Sequence, residues 1–518
     1  MVNRLSASEA MYFFLDGSGV TNHLGALMVF PAAQARGQAD TDENGATDDG
    51  AAAARNAAAK NAAAKNAADD ASATLPSRRP ALDYPSLVAL VESRLQLAPR
   101  YRQVVHEVTL GLARPVWADD PDFDINFHIR RSGLPRPGSV EDLQDLIARV
   151  MARPLDRTRP LWEMYLIEGL ADGGVALLTK SHRCLLDDHT GPEISQVICD
   201  DSPVVRTFDE DLWMPSRPPG SASLAIGALA EALSRPGSFI DSVAGSTDLV
   251  AGARSVVEGT ARRVGGVVRQ LTDVAPRSPL NSAGSASRMF TVASVPWRDC
   301  AKIAQRHGCT VNDVELAIIT GVMRRWLLSF DVSAGITDTV RAVLPLHARD
   351  PSVQQRIDTE GTWINVGKPS FVTDLPVGED NPTVRLAQVA GLANRYAASP
   401  RRFSETLRPM FPELGMVPFP EISSRAFRSL NRRSYNVPVS MGTAPIADRY
   451  VLGHRVAELY GVPALVSGRA LAISVTGYAG RLYFTFVADR GVIGDLPAMT
   501  DYVAEAFEEL ASTQGSGS

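Results

Sequence analysis

The 518-residue chain is 45% apolar and 21% charged, an ordinary balance for a folded protein. Its net charge of −6 and isoelectric point near 5.8 speak against nucleic acid as the main partner, because phosphate binding asks for a basic surface. The four cysteines, Cys184, Cys199, Cys300 and Cys309, are too few for a disulfide framework and form no C-x-x-C pair, so a reduced, cytoplasmic setting is expected. The first residues hold no continuous apolar stretch, and no apolar run is long enough to span a bilayer.

At roughly 150 residues per unit, the length suggests about three domains, and two large ones fit equally well. The opening apolar residues, Ala10 to Phe14 and Gly25 to Phe30, give way to a low-complexity insert over 34–79. That insert is acidic first and then repeats Asn-Ala-Ala-Ala-Lys; it offers no apolar stripe to a core and reads as a solvated excursion. Order resumes at Leu82. Leu87, Leu90, Val91 and Leu95 fall at helical spacing, and a strand is expected over Gln103 to Leu110. His128 sits in an alternating stretch and reads as structural. Ser139 is the expected N-cap of a helix running through Leu143, Leu146, Ile147 and Val150.

An apolar strand, Val175 to Thr179, then leads into Lys180-Ser181-His182-Arg183 and on to Asp187-Asp188-His189-Thr190-Gly191. From 215 to 287 the chain is rich in Ser, Gly, Ala and Pro and reads as a linker. Its Val257, Ala261, Val264, Val268 and Leu271 recur at helical steps among arginines. That pattern fits a connecting helix or, less simply, a basic helix lying on a membrane surface. The last large unit, 288–512, carries a helix from Val311 to Leu327 and strands at Leu471 to Thr476 and Arg481 to Val487; residues 513–518 form a tail. No metal-ligand spacing and no phosphate loop is found. Asn312, at the start of its helix, reads as a cap more readily than as a ligand.

Several segments, in this order, resemble the bacterial wax ester synthase/diacylglycerol acyltransferase family. They are Arg4-Leu5-Ser6, Pro99 to Gln103, Trp117 to Asp124, Arg153 to Glu163, the segment around His182, Pro279-Leu280-Asn281, Val311 to Val314, Arg341 to Pro345 and Tyr478 to Leu482. The resemblance covers nearly everything except the insert and the linker. It implies an α/β (α+β) fold of two chloramphenicol-acetyltransferase-like lobes, 1–214 and 288–512, with a substrate tunnel where they meet. It also implies acyl-CoA as co-substrate with no bound cofactor or metal, and a diacylglycerol or long-chain alcohol as acceptor. Contact with the inner membrane face or lipid droplets, or with an active homologous acyltransferase, would follow from the same resemblance.

The family's H-H-x-x-x-D-G motif places its first histidine on His182 and its aspartate on Asp187. The second histidine, the general base, falls on Arg183, and the glycine on Asp188. Guanidinium keeps its proton above pH 12 and cannot replace that base. Ser440-Met441-Gly442-Thr443-Ala444-Pro445 matches a family turn that would face the tunnel, with Met441 where asparagine is usual; Thr362 is a looser departure of the same kind. Asn312 and Ser440 are the other tunnel residues the resemblance suggests.

Three readings follow from these departures. The chain is an O-acyltransferase working with a relocated base, His182 or His189. Alternatively it is a degenerate homologue that binds acyl-CoA or lipid, with Arg183 and Asp188 paired across the old site. A third reading is transfer to an amine or a carrier-bound acyl group.

Overall fold

The computed structural model describes residues 3–16, 21–32, 82–108, 114–186, 193–216, 220, 275–276, 278–282, 285–329, 339–345, 370–397, 435–441, 447–466 and 468–513. The expected insert at 34–79, most of the 215–287 stretch and the tail beyond Thr513 lie outside them.

The amino-terminal half holds α1 (Ala7–Leu15), β1 (His23–Phe30), α2 (Tyr84–Arg94), β2 (Ile129–Gly133), α3 (Val140–Ala152), β3 (Trp162–Glu168) and β4 (Val175–His182). The carboxy-terminal half holds β5 (Arg288–Pro296), α4 (Trp297–His307), α5 (Val311–Ser329), β6 (Val340–Pro345), β7 (Ser370–Leu375) and α6 (Pro382–Ala397). It continues through β8 (Val437–Met441), β9 (Glu458–Val462), β10 (Leu471–Tyr478), β11 (Arg481–Asp489) and α7 (Ala498–Ser512).

The helices start where the sequence supplies caps. Ser139 and Asp142 form a reciprocal capping box at the head of α3, and Asp83 accepts from the backbone of Ser86 at α2. Thr310 caps α5, exchanging hydrogen bonds with Asp313. Asn312 therefore sits inside the first turn, and the capping role expected of it belongs to Thr310. The stretch around His128 is not an alternating strand: Asp124 caps a single helical turn, Ile125–His128, before β2 begins. The expected strand from Gln103 ends at His106 among the described residues.

Two large sheets divide the molecule, with a three-stranded and a two-stranded sheet beside them. One large sheet has the order β9-β1-β4-β3-β2 and the other β7-β6-β8-β10-β11-β5. The first is antiparallel except where β2 runs parallel to β3. Its edge strand β9 comes from the carboxy-terminal half and pairs Glu458 with Val29 through to Val462 with Gly25. The two halves are thus joined by backbone hydrogen bonds as well as by packing. Helices α5 and α7 pack beside the second sheet, whose strands β10 and β11 are almost wholly buried and correspondingly rich in Val, Ile, Phe and Ala.

A buried ion pair fixes α2 to the strap that follows the motif. Arg94 donates to Asp200 at 2.9 and 2.7 Å and also to the carbonyls of Val197 and Ile198, and both side chains are almost fully sequestered. Removing one partner leaves a buried charge uncompensated, which costs about 3–5 kcal/mol. Asp200→Ala is expected to lose stability on that scale in urea denaturation. Glu168→Ala, which breaks the exposed pair with Arg131, is expected to lose less than about 1 kcal/mol.

Candidate active site

His182 is the last residue of β4, directly opposite His23, the first residue of β1. Backbone pairing therefore brings both rings together, 5.7 Å between centroids, edge to face. The His182 ring also meets Phe13 of α1 edge-on at 6.4 Å.

Both nitrogens of His182 are engaged. Nδ1 accepts from the backbone N–H of Cys184 at 3.1 Å, which puts the ring proton on Nε2, and Nε2 donates to Asp16 Oδ2 at 3.0 Å. Asp16 also accepts from the backbone and side-chain N–H groups of Asn22 at 2.7 and 2.9 Å. Burial alone would raise the Asp16 carboxyl. The His182 hydrogen bond and the Asn22 backbone outweigh burial and hold it at about 2. Asp16 and His23 were missed in the sequence, because only the register of β1 against β4 brings them to the motif.

His23 is different. It is 2% exposed, and among the described residues neither ring nitrogen is hydrogen-bonded, with Nε2 3.9 Å from Asp16 Oδ2. Burial first, then the nearby Lys180 ammonium, pushes it well below the usual histidine range, so it is neutral. Lys180 is itself buried and donates to the carbonyls of Val150 and Arg153 at the end of α3. Burial draws its ammonium down to about 8.

Arg183 opens the short 3₁₀ turn Arg183–Leu185. Its backbone N–H donates to Asn22 O at 2.8 Å, and its guanidinium lies over the Tyr12 ring, 4.2 Å from the centroid. Nε is buried without a hydrogen-bond partner among the described residues. Asp187, Asp188 and His189 fall outside the described residues, so the expected pairing of Arg183 with Asp188 does as well. The chain re-enters at Glu193, a buried carboxylate that caps the short helix Ile194–Ile198. It accepts from Ser181 at 3.2 Å and from the backbone and hydroxyl of Ser195. Burial raises this carboxyl, and hydrogen bonds only partly offset that.

The second lobe contributes less to this cluster. Ser440 and Met441 end β8, opposite Ser474 and Val475, and Met441 is fully buried in the carboxy-terminal core. Residues 442–446 and Thr362 lie outside the described set. Asn312 is buried in the first turn of α5. His128 packs flat on Trp162 at 4.6 Å and bonds its carbonyl, and burial lowers it to about 4. Arg481 begins β11 and bonds Ser294.

Between the lobes lies an apolar cavity of about 360 Å³, walled by Leu27 and Val29 of β1, Leu143 and Ile147 of α3, Phe290 and Val292 of β5, and Tyr460 of β9. By strand alternation, Leu27 and Val29 share the face of β1 that His23 occupies. Leu27 is four steps along the strand from His23, about 13 Å.

The fold is similar to that of a wax ester synthase/diacylglycerol acyltransferase from Marinobacter aquaeolei VT8, with a TM-score of 0.61 and 20% identity over 98% of both chains. It is also similar to the first condensation domain of the CDA synthetase, with a TM-score of 0.53, 15% identity and coverage of 100% of this chain and 97% of that one. Residues 5–315 match the wax ester synthase/diacylglycerol acyltransferase catalytic domain, and 370–511 match the WS/DGAT C-terminal domain. A probable diacylglycerol O-acyltransferase of Mycobacterium tuberculosis, tgs3, is 40% identical over 312 residues, 60% of this chain and 98% of that protein. A second from the same organism, tgs1, is 30% identical over 441 residues, 84% and 89% of the two chains. The chain belongs to the wax ester synthase/diacylglycerol acyltransferase family.

The buried groups give the site a pH dependence. The unfolded chain binds a proton on His23 below about 6.5 that the folded site refuses, so stability falls as pH drops below that value. Asp16 contributes about 2 kcal/mol above its ordinary value of 3.8, and this is lost as pH falls towards about 2. Urea denaturation at pH 7 and pH 5 is expected to show a smaller drop in His23→Leu than in the unaltered protein. Asp16→Asn is expected to lose stability at both pH values.

Proposed function

We propose that this family member transfers a fatty acyl group from acyl-CoA to the hydroxyl of a diacylglycerol or long-chain alcohol, and that it does so without an imidazole base. Family membership supports the reaction, giving triacylglycerol or wax ester. The observation that carries the second part is Arg183 at the motif's base position, beside a His182 whose two nitrogens are already engaged.

In the reaction, the acceptor oxygen attacks the thioester carbonyl, the carbon–sulfur bond breaks, and the hydroxyl proton leaves as CoA departs as its thiol. An imidazole would take that proton; a guanidinium, already protonated, cannot. His182 has its lone pair on Nδ1 committed to the Cys184 N–H and its proton directed at Asp16, so it orders the turn. What is left is proximity: two substrates held together gain rate even with no base. The limiting case is a homologue that binds acyl-CoA and lipid without turnover. Substrates of this kind would bring the protein to a membrane or droplet surface. Among the described residues, no helix is long and apolar enough to cross a membrane.

Loss of general-base catalysis costs ~10²–10⁴-fold. With palmitoyl-CoA and diolein or hexadecanol, an Arg183→His, Asp188→Gly double variant is expected to exceed the unaltered protein by a factor in that range. Equal rates in the two proteins would mean that a base acts elsewhere and would sink this reading.

A further inference from the structure

We infer that Arg183 is a receptor for the carboxylate of a long-chain fatty acid, at the position where the motif would otherwise set an imidazole. The inference rests on the lipid-binding reading of this site and deepens it by naming an occupant.

The guanidinium is partly exposed, and none of its donors has a hydrogen-bond or ion-pair partner among the described residues. A buried donor without a partner is costly, so Nε favours any acceptor that can reach it. The Tyr12 ring covers one face of the guanidinium plane, and the backbone bond to Asn22 fixes the base of the side chain. Among the described residues, no hydrogen bond or ion pair occupies the edges of the plane. A rigid fork of N–H donors matches the two oxygens of a carboxylate in one plane.

The neighbouring charged groups are engaged within the fold. Arg157 lies over Phe13 and donates to its carbonyl, Lys180 is spent on the carbonyls closing α3, and Arg100 lies 3.7 Å from Glu9. The Asp16 charge is taken up by His182 and Asn22, and His23 is neutral. The apolar wall needed for the chain is the inter-lobe cavity that Leu27 and Val29 border, about 13 Å along β1 from His23.

Calorimetric titration of the full-length protein with oleate and with oleyl alcohol tests this. A charge-assisted bidentate contact is expected to favour oleate by roughly tenfold or more. Arg183→Met is expected to abolish that preference and leave the alcohol affinity within about twofold, which also reports that the variant is folded. Oleyl phosphate and free CoA form the discriminating arms, and neither is expected to gain more from Arg183 than oleate does. Equal affinities for oleate and oleyl alcohol in the unaltered protein would overturn the inference. So would a preference that survives in Arg183→Met, or a larger Arg183-dependent gain for the phosphate ligands. The turnover comparison of Arg183→His, Asp188→Gly is read separately, so failure of the acyl-transfer reading is distinguishable from failure of this one.

Discussion

The hydrogen bond from His182 to Asp16 organises the motif end of the molecule. It ties the last residue of β4 to the loop after α1 and is braced by Asn22, which holds Asp16 on one side and the Arg183 backbone on the other. This arrangement makes the first motif histidine a structural element. A ring that gives its only proton to a buried carboxylate and its only lone pair to a backbone N–H has nothing left to offer an acceptor hydroxyl. The second motif position, Arg183, holds a side chain that stays protonated.

The same end of the sheet depends on the other half of the chain. Strand β9, from the carboxy-terminal half, forms the edge beside β1, so the register that sets His23 against His182 is continued into the second lobe. Between α3 and β5 the two halves leave an apolar cavity instead of closing on each other. Substrate chemistry in such a molecule sits at a seam: the polar cluster lies at one end of β1, and apolar volume lies about 13 Å further along it. A cation stacked on Tyr12 at the polar end makes the seam amphipathic, as an occupant with one charged head and a long chain would need.

Much of this was legible in the sequence, for physical reasons that differ by element. The capping box at Ser139 and the helical spacing after Tyr84 are local signals, and local signals survive into the fold. The buried strands at Leu471 and Arg481 announced themselves as continuous apolar runs. Arg183 was readable because the flanking residues fix the motif's register. The turn around His128 was misread because alternation over a few residues cannot outweigh an Asp124 cap, and Asn312 was misplaced by two residues relative to the Thr310 cap. Asp16 and His23 were invisible for a different reason. Their proximity to His182 is a matter of cross-strand register and a loop closure, neither of which has a signature along the chain.

The central claim is that no imidazole serves as base in this site, and the pH dependence of kcat/KM for acyl transfer tests it most directly. Without a titrating histidine, the profile should show no break between about pH 5.5 and 8, whereas Arg183→His should acquire one near the ordinary histidine value of about 6.5. A break near that value in the unaltered protein would contradict the account, because it would mean that a histidine still takes the proton.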